Sequence, residues 1–195
     1  MPNLRKRHAL SVLKKMARLW PVVGVLGLRQ SGKSTLLRDL LGIDNIVTLD
    51  DEEVFDDVSI SAKNFLAKMG TPLAIDEIQK APSLFDAIKF NVDRRRNPGT
   101  YFLTGSSQFS AKLGIRESLT GRVGLVHLYP FTLSEAHQGS YERGRLAPVH
   151  KLGCRYDIET LIFQLPRGGL PIPLFLRDDE QRLQYFRSCF DTSVM

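Results

Sequence analysis

A glycine-rich loop between an apolar run and a helical pattern constrains the fold of this chain more than any other feature. Residues 27–34 read Gly-Leu-Arg-Gln-Ser-Gly-Lys-Ser and fit the pattern G-x-x-x-x-G-K-S/T. Residues 22–26 form a short apolar run, typical of a strand that is covered on both faces. After the loop, leucines recur at helical spacing from Leu36 to Leu41, and Gly42 stands where a helix would end. The segment therefore predicts a strand, a tight turn and a helix in direct succession.

The predicted turn has the geometry that binds phosphate groups. Successive backbone N–H groups and the positive end of the new helix would point at one place and favour a polyphosphate there. We expect Lys33 to contact the β- and γ-phosphates, Ser34 to bind Mg²⁺, and Thr35 to lie near the α-phosphate. A glycine-rich turn without function is the alternative. The residues expected to bind the nucleotide are Gly27, Arg29, Gln30, Ser31, Gly32, Lys33, Ser34 and Thr35.

A second short apolar run, residues 72–75, ends in the two carboxylates Asp76 and Glu77. A buried strand would deliver these side chains at its carboxyl end, where ligands of open α/β sheets bind. We expect Asp76 to hold Mg²⁺ through its waters and Glu77 to polarise the attacking water. Because adjacent strand residues point to opposite faces, Glu77 reaches the γ-phosphate only if the strand ends there. An ordinary strand end is the alternative for this pair taken alone.

The remaining patterns alternate between strands and helices, which predicts a parallel sheet sandwiched by helices. Thr104 and Ser106 follow one predicted strand and are candidates to sense the γ-phosphate or place the water, with a serine-rich turn as the alternative. The acidic residues between 50 and 57 are assigned to a loop. Further strands are expected at residues 45–49, 101–103 and 123–128, and further helices at residues 61–69, from Pro82 onward and at residues 113–120.

Basic residues concentrate at the N-terminus and after the predicted helix that begins at Pro82. The net charge of +6 is compatible with a nucleic-acid partner but does not require one. Residues 1–20 predict a basic amphipathic helix, whose apolar stripe packs on the domain and whose basic side is either solvated or contacts nucleic acid. Arg94, Arg95 and Arg96 either complement a helix end or contact phosphate groups or DNA.

Arg122 stands at the end of a predicted helix and before a predicted strand. Its guanidinium either stabilises transition-state charge, in its own or a neighbouring subunit, or forms a helix-terminal salt bridge. Both interpretations remain open at the level of the sequence.

The length of 195 residues fits one domain with a proper core, or one domain and part of a second. No apolar stretch reaches membrane-spanning length and the N-terminus lacks a secretory pattern, so we expect a cytoplasmic protein without a membrane partner. Cys154 and Cys189 lack the spacing of a disulfide framework or a zinc site.

Several motifs occur in one order and together resemble the prokaryotic AAA-type ATP-binding proteins that carry a C-terminal domain of unknown function. They lie at residues 27–33, 49–51, 75–82, 103–107, 117–123 and 129–131. The resemblance covers about residues 18–135 and includes the Walker A loop and the Walker B carboxylates. It implies a P-loop NTPase fold of the additional-strand type, in which the strand carrying Thr104 lies between the loop strand and the Asp76 strand. It also suggests Arg122 as a functional arginine.

The expected organisation is a basic helix at residues 1–20, an ATPase domain at residues 21–138, and a linker with the truncated start of a C-terminal region at residues 139–195. Members of the family are usually longer, and this chain stops inside a helical pattern that starts at Asp178. A homo-oligomer is compatible with the resemblance, because rings are common among related ATPases.

The leading hypothesis for the function is Mg²⁺-dependent ATP hydrolysis coupled to a conformational switch. One alternative is a nucleotide-dependent DNA-binding module with little hydrolysis. The other alternative is a small-molecule kinase, which is disfavoured because the sequence shows no clear lid and because a glutamate beside the metal-binding acid suits water better than a bulky acceptor.

Overall fold

The computed structural model describes residues 4–105, 118–136 and 158–194. These residues divide into two compact units. The first unit comprises residues 7–105 and 118–129, and the second comprises residues 4–6, 130–136 and 158–194. The predicted site residue Ser106 and most of the helix predicted at residues 113–120 lie outside the described residues.

Within the described residues, the first unit contains a five-stranded sheet with the order β2-β3-β4-β1-β5. All neighbouring strands pair in parallel. The strands are β1 (Val22–Gly27), β2 (Ile46–Thr48), β3 (Leu73–Asp76), β4 (Tyr101–Gly105) and β5 (Val123–Leu128). The strand that carries Thr104 thus lies between β1 and β3, which confirms the additional-strand P-loop fold that the motifs predict.

Helices of the first unit follow the strands as expected for such a sheet. They are α1 (Ala9–Leu19), α2 (Lys33–Thr35), α3 (Glu52–Lys68) and α4 (Ser83–Arg94). A π-helical segment, Leu36–Leu41, continues α2, and a 3-10 turn, Ile78–Lys80, follows β3. The π-helical segment ends at Gly42, whose φ of 79° is the left-handed conformation that glycine adopts without steric cost.

Side chains of the central strands alternate between two hydrophobic clusters, one on each face of the sheet. On one face, Leu26 and Ile75 lie in a cluster with apolar residues of α3 and α4. On the other face, Val25 and Phe102 lie with Leu13 of α1 and with the leucines that follow the loop. Helices therefore cover both faces, as the apolar character of the strands predicts.

The assignment of the acidic residues 50–57 to a loop is wrong, because α3 already begins at Glu52. The side chain of Asp51 caps this helix and accepts hydrogen bonds from the backbone N–H groups of Glu53 and Val54, at 3.0 and 3.5 Å. Carboxylates in the first turn also complement the positive end of the helix. Ser61 interrupts the helical geometry with φ −163° and ψ 100°, and this kink separates the helix that was predicted from its unrecognised first half.

The described part of the second unit is helical, as predicted for the C-terminal segment. It contains α5 (Leu133–Ala136), α6 (Ile158–Gln164), a 3-10 turn (Leu165–Arg167), α7 (Pro171–Phe175) and α8 (Asp179–Val194). The buried guanidinium of Arg182 in α8 donates a hydrogen bond from Nε to Pro173 O at 3.1 Å, which joins α8 to α7. Among the described residues, no helix is long and apolar enough to span a bilayer.

Candidate active site

The loop after β1 closes tightly against the end of β5. A Cβ atom at Gly27 would lie 2.4 Å from Leu128 O and 3.0 Å from Ser31 Oγ, so only glycine permits this approach. Gly32 has a φ of 93°, and Gln30 adopts a φ of 60°, which is uncommon for a residue with a side chain. These conformations curl the chain between β1 and α2 into the turn that the sequence predicts.

Lys33 lies inside this curl rather than on the surface, with 6% of the residue exposed. Its Nζ donates hydrogen bonds to Gly27 O at 3.2 Å and to Leu28 O at 3.0 Å. Burial lowers the pKa of the Lys33 ammonium, while the negative charges of Glu77 and Asp76 oppose that shift. The Lys33 ammonium therefore lies close enough to interact electrostatically with Asp76, the last residue of β3, and with Glu77, which follows it.

Asp76 is the point at which three elements of the site meet. Ser34 Oγ of α2 donates a hydrogen bond to Asp76 Oδ2 at 2.8 Å. Thr104 of β4 donates from Oγ1 to Asp76 Oδ1, which also accepts the backbone N–H of Glu77 at 3.1 Å. A serine hydroxyl and one carboxylate are oxygen donors that fit Mg²⁺, which takes one or two carboxylates together with phosphate oxygens.

Glu77 follows the last residue of β3 and leaves the strand in an unusual conformation. Its φ of 54° lies in the left-handed region, where a residue with a side chain is uncommon and strained. β3 thus ends directly before Glu77, which is the condition under which Glu77 was expected to reach the γ-phosphate. Gln79, for which no role was predicted, donates a hydrogen bond from Nε2 to Glu77 Oε2. Within the described residues, the buried Oε1 of Gln79 has no hydrogen-bond partner.

Arg122 lies where the strands of the sheet begin, whereas the phosphate loop lies where they end. The register pairs Val22 with Val123, so Arg122 precedes β5 at the amino ends of the strands, whereas the loop follows their carboxyl ends. Six residues of strand separate the two edges by about 20 Å. At this distance the Arg122 guanidinium does not contact the loop of its own chain, and a role at the site of a neighbouring subunit stays a prediction.

Arg122 forms a salt bridge with Asp93, in agreement with one of the two interpretations of this residue. Its Nε and Nη2 donate to the two carboxylate oxygens of Asp93 at 2.6 and 2.9 Å, and its Nη1 donates to Thr120 O at 3.0 Å. The hydrogen bond from Arg122 holds the pKa of the Asp93 carboxyl below its ordinary value. Asp93 lies in the last turn of α4, so the pair links that helix to the start of β5.

The other loop residues differ in exposure. Arg29 and Gln30 are exposed, as is Thr35 in α2, whereas Ser31 is buried. Ser31 O accepts a hydrogen bond from Arg7 Nη1 at 3.1 Å. The basic side chains of residues 1–20 were expected to be solvated or to contact nucleic acid, yet Arg7 is 7% exposed. The sequence carried no signal for this contact, because its acceptors are backbone carbonyl groups.

The sequence of this chain is similar to that of a known protein family. A family model described as an AAA domain matches residues 20–137. The proteins Rv2008c of Mycobacterium tuberculosis and Mb2031c of Mycobacterium bovis, both described as uncharacterised, are 33% identical over 142 residues, which cover 72% of this chain. The chain spans about a third of the length of these curated relatives, 32% in each case. Among solved structures, the Walker-type ATPase PABY2304 of Pyrococcus abyssi is similar, with a TM-score of 0.48 and 18% identity, covering 70% of this chain and 57% of that one.

Proposed function

The chain belongs to the AAA domain family of ATPase-like, nucleotide-binding modules, and we propose that it binds ATP with Mg²⁺ and hydrolyses it at the loop of residues 27–34. The observation that carries the proposal is the meeting of Ser34, Asp76 and Thr104 beside the loop, with Ser34 Oγ 2.8 Å from Asp76 Oδ2. In our proposal hydrolysis is coupled to a conformational switch, because contacts that the γ-phosphate and its Mg²⁺ make with the protein are lost when the phosphate is cleaved.

The main chain of the loop and Lys33 would bind the phosphate groups. Backbone N–H groups at the start of α2, together with the positive end of the helix, favour a polyphosphate at this position. Lys33 has three N–H donors, of which two reach the carbonyl groups of Gly27 and Leu28. Its charge would therefore stand beside the β- and γ-phosphates, where burial strengthens the attraction.

Ser34 and Asp76 would hold Mg²⁺. The bound ion would supply positive charge to the β- and γ-phosphate oxygens. Thr104 orients the Asp76 carboxylate through its hydroxyl, and the backbone N–H of Glu77 binds the same oxygen, Oδ1. The oxygen Oδ2 therefore faces Ser34, so that the two donors of the metal site are held in contact by their surroundings.

Glu77 would act as the general base that accepts a proton from the attacking water. The left-handed turn at Glu77 releases its side chain from the alternation of β3, and Gln79 binds one of its carboxylate oxygens. The other oxygen, Oε1, would accept the hydrogen bond of the water. Thr104 stays a candidate to contact the γ-phosphate, since it lies in β4 between the loop strand and β3.

Phosphate release by the purified chain tests this proposal, with ATP and Mg²⁺ supplied to the wild type, Glu77→Gln and Lys33→Ala. We expect Glu77→Gln to retain ATP binding and to lose hydrolysis by about a hundredfold or more, since general-base catalysis contributes about that factor. Lys33→Ala should weaken binding itself. Glu52→Gln, which removes the same charge from an exposed position in α3, is the matched control and should release phosphate at the wild-type rate. An unchanged rate in Glu77→Gln would refute the hydrolytic assignment.

A contact with nucleic acid is the second candidate. Two basic segments of the chain lie next to each other at the amino ends of the strands, away from the loop. The backbone N–H of Gly99 donates to Trp20 O at 2.8 Å, which joins the end of α1 to the turn after α4. Arg18 of α1 is exposed, and so are Arg94, the last residue of α4, and Arg95, which follows it. Binding of labelled duplex DNA that weakens steeply with added salt, and less steeply in Arg94→Gln/Arg95→Gln, would support this candidate. Absent or salt-independent binding would exclude it.

A further inference from the structure

Arg7 precedes the segment that the family model matches, yet its side chain contacts the phosphate loop. Its Nη1 donates a hydrogen bond to Ser31 O at 3.1 Å, and its Nη2 donates to Tyr129 O at 2.5 Å. Tyr129 directly follows β5, the strand that pairs with β1. The guanidinium therefore joins the loop to the carboxyl end of the neighbouring strand.

The carbonyl group that Arg7 holds belongs to the peptide unit between Ser31 and Gly32. This peptide is trans, so its C=O and its N–H point in opposite directions. A carbonyl fixed on the Arg7 guanidinium consequently directs the Gly32 N–H away from Arg7. Gly32 has no side chain and a φ of 93°, so its own conformational preference does little to fix that direction.

Two further points support a role for the contact between Arg7 and the Ser31 carbonyl in orienting the Gly32 N–H. Ser31 is fully buried, and within the described residues its Oγ has no hydrogen-bond partner, so the serine hydroxyl does not anchor the loop. A cationic donor on the Ser31 carbonyl also polarises the peptide unit, which makes the Gly32 N–H a stronger donor. The orientation and the polarisation of the peptide both act on the N–H of Gly32, the residue that immediately precedes Lys33.

We propose that Arg7 is a positioning residue for the phosphate loop, which aims the Gly32 N–H at the phosphate groups of the bound nucleotide and adds positive charge behind that peptide. This inference rests on the proposed function, since it assigns the nucleotide to the loop. The planar guanidinium presents two nitrogens to two carbonyl groups at once, whereas the single ammonium of a lysine cannot bridge them in the same geometry.

Calorimetric titration of ATP with Mg²⁺ tests the inference on the wild type, Arg7→Met and Arg7→Lys, with thermal unfolding recorded without nucleotide. We expect Arg7→Met to weaken ATP binding by about tenfold or more, since a hydrogen bond from a charged group is lost. Arg7→Lys should fall between the two, because it keeps the charge and loses the bridge. In phosphate release the loss should fall mainly on KM. Lys14→Met, which removes an exposed charge from α1, is the control and should bind as the wild type.

The outcomes separate this inference from the proposed function. A wild type that binds no ATP overturns both, whereas folded Arg7 variants with wild-type affinity overturn the inference alone. If Arg7→Met unfolds, Arg7→Lys decides the question by the same comparison. Loss of the fold in both variants would make Arg7 a core residue rather than a positioning residue and would also overturn the inference.

Discussion

Ser34 Oγ donates a hydrogen bond of 2.8 Å to Asp76 Oδ2, and this contact joins two residues that are 42 positions apart in the chain. Ser34 stands at the start of the helix after the loop, and Asp76 is the last residue of β3. The contact exists because parallel strands deliver their carboxyl ends to one edge of the sheet, where the loop also lies. It brings the two predicted metal-binding side chains into hydrogen-bonding distance.

Thr104→Val should weaken both the fold and the proposed hydrolysis. Valine matches the shape of threonine but cannot donate to Asp76 Oδ1, and the position is buried, with 1% of the residue exposed. We expect the free energy of unfolding to fall by about 1.5–3 kcal/mol, because a buried hydrogen bond to a charged group is lost. Denaturant titration and phosphate release measure the two effects. Thr104→Ser keeps the hydroxyl and should restore phosphate release; equal rates for valine and serine would contradict the role of the hydroxyl.

Gly27→Ala should disrupt the loop through its backbone. The new methyl group would lie 2.4 Å from Leu128 O, and neither chain segment can move aside without breaking the pairing of β1 with β5. Forced overpacking of this kind costs about 1–3 kcal/mol of unfolding free energy. Gly70→Ala is the matched control, because its Cβ would meet only Asn45 Nδ2, at 3.9 Å. Similar unfolding midpoints for the two alanine variants would show that the clash at Gly27 is relieved without cost.

Lys33→Met should change how the stability of the nucleotide-free chain depends on pH. Burial lowers the pKa of Lys33 in the folded chain below its ordinary value of 10.5. Between the two values, the unfolded chain binds a proton that the folded chain does not, so rising pH stabilises the fold. The methionine variant lacks this contribution. The free energy of unfolding of the wild type, minus that of Lys33→Met, should therefore rise as the pH approaches 10.5 from below; a falling difference would contradict the burial of the ammonium.

Asp93→Asn should lower the stability of the fold at neutral pH but not in acid, and it should leave hydrolysis unchanged. The hydrogen bond from Arg122 lowers the pKa of Asp93 below its ordinary value of 3.8 in the folded chain. The resulting stabilisation is present above pH 3.8 and is lost as the pH falls through the lowered value. The wild type should therefore lose its stability advantage over Asp93→Asn in acid. Phosphate release at pH 7 that falls sharply in this variant would contradict the separation of Arg122 from the site of its own chain.

The sequence predicted the sheet and the loop well because their signals are local. Apolar runs mark the buried strands, and the glycines at 27 and 32 mark positions where a side chain does not fit or where φ is positive. The place of the Thr104 strand between the loop strand and the Asp76 strand was implied by the resemblance to AAA-type proteins, and the structure shows it. The roles of these residues in catalysis remain predictions.

The errors arose where charge was interpreted without its partner. The acidic residues 50–57 were assigned to a loop, although Asp51 caps a helix. Arg7 belongs to a segment whose basic side was expected to be solvated or to contact nucleic acid, although it binds two backbone carbonyl groups. The edge of the sheet at which Arg122 lies depends on strand register, and the contact of Gln79 with Glu77 depends on a left-handed φ. Neither of these can be read from residue types alone.

The most direct test of the account is the Mg²⁺ dependence of ATP binding, measured by calorimetry on the wild type and on Asp76→Asn. The site of Ser34 and Asp76 predicts that Mg²⁺ strengthens ATP binding to the wild type and that Asp76→Asn loses most of this gain, while ATP without the metal binds both proteins similarly. Asp57→Asn, an exposed carboxylate in α3, should keep the full effect of the metal. An undiminished gain from Mg²⁺ in Asp76→Asn, or no binding of ATP to the wild type, would contradict the account.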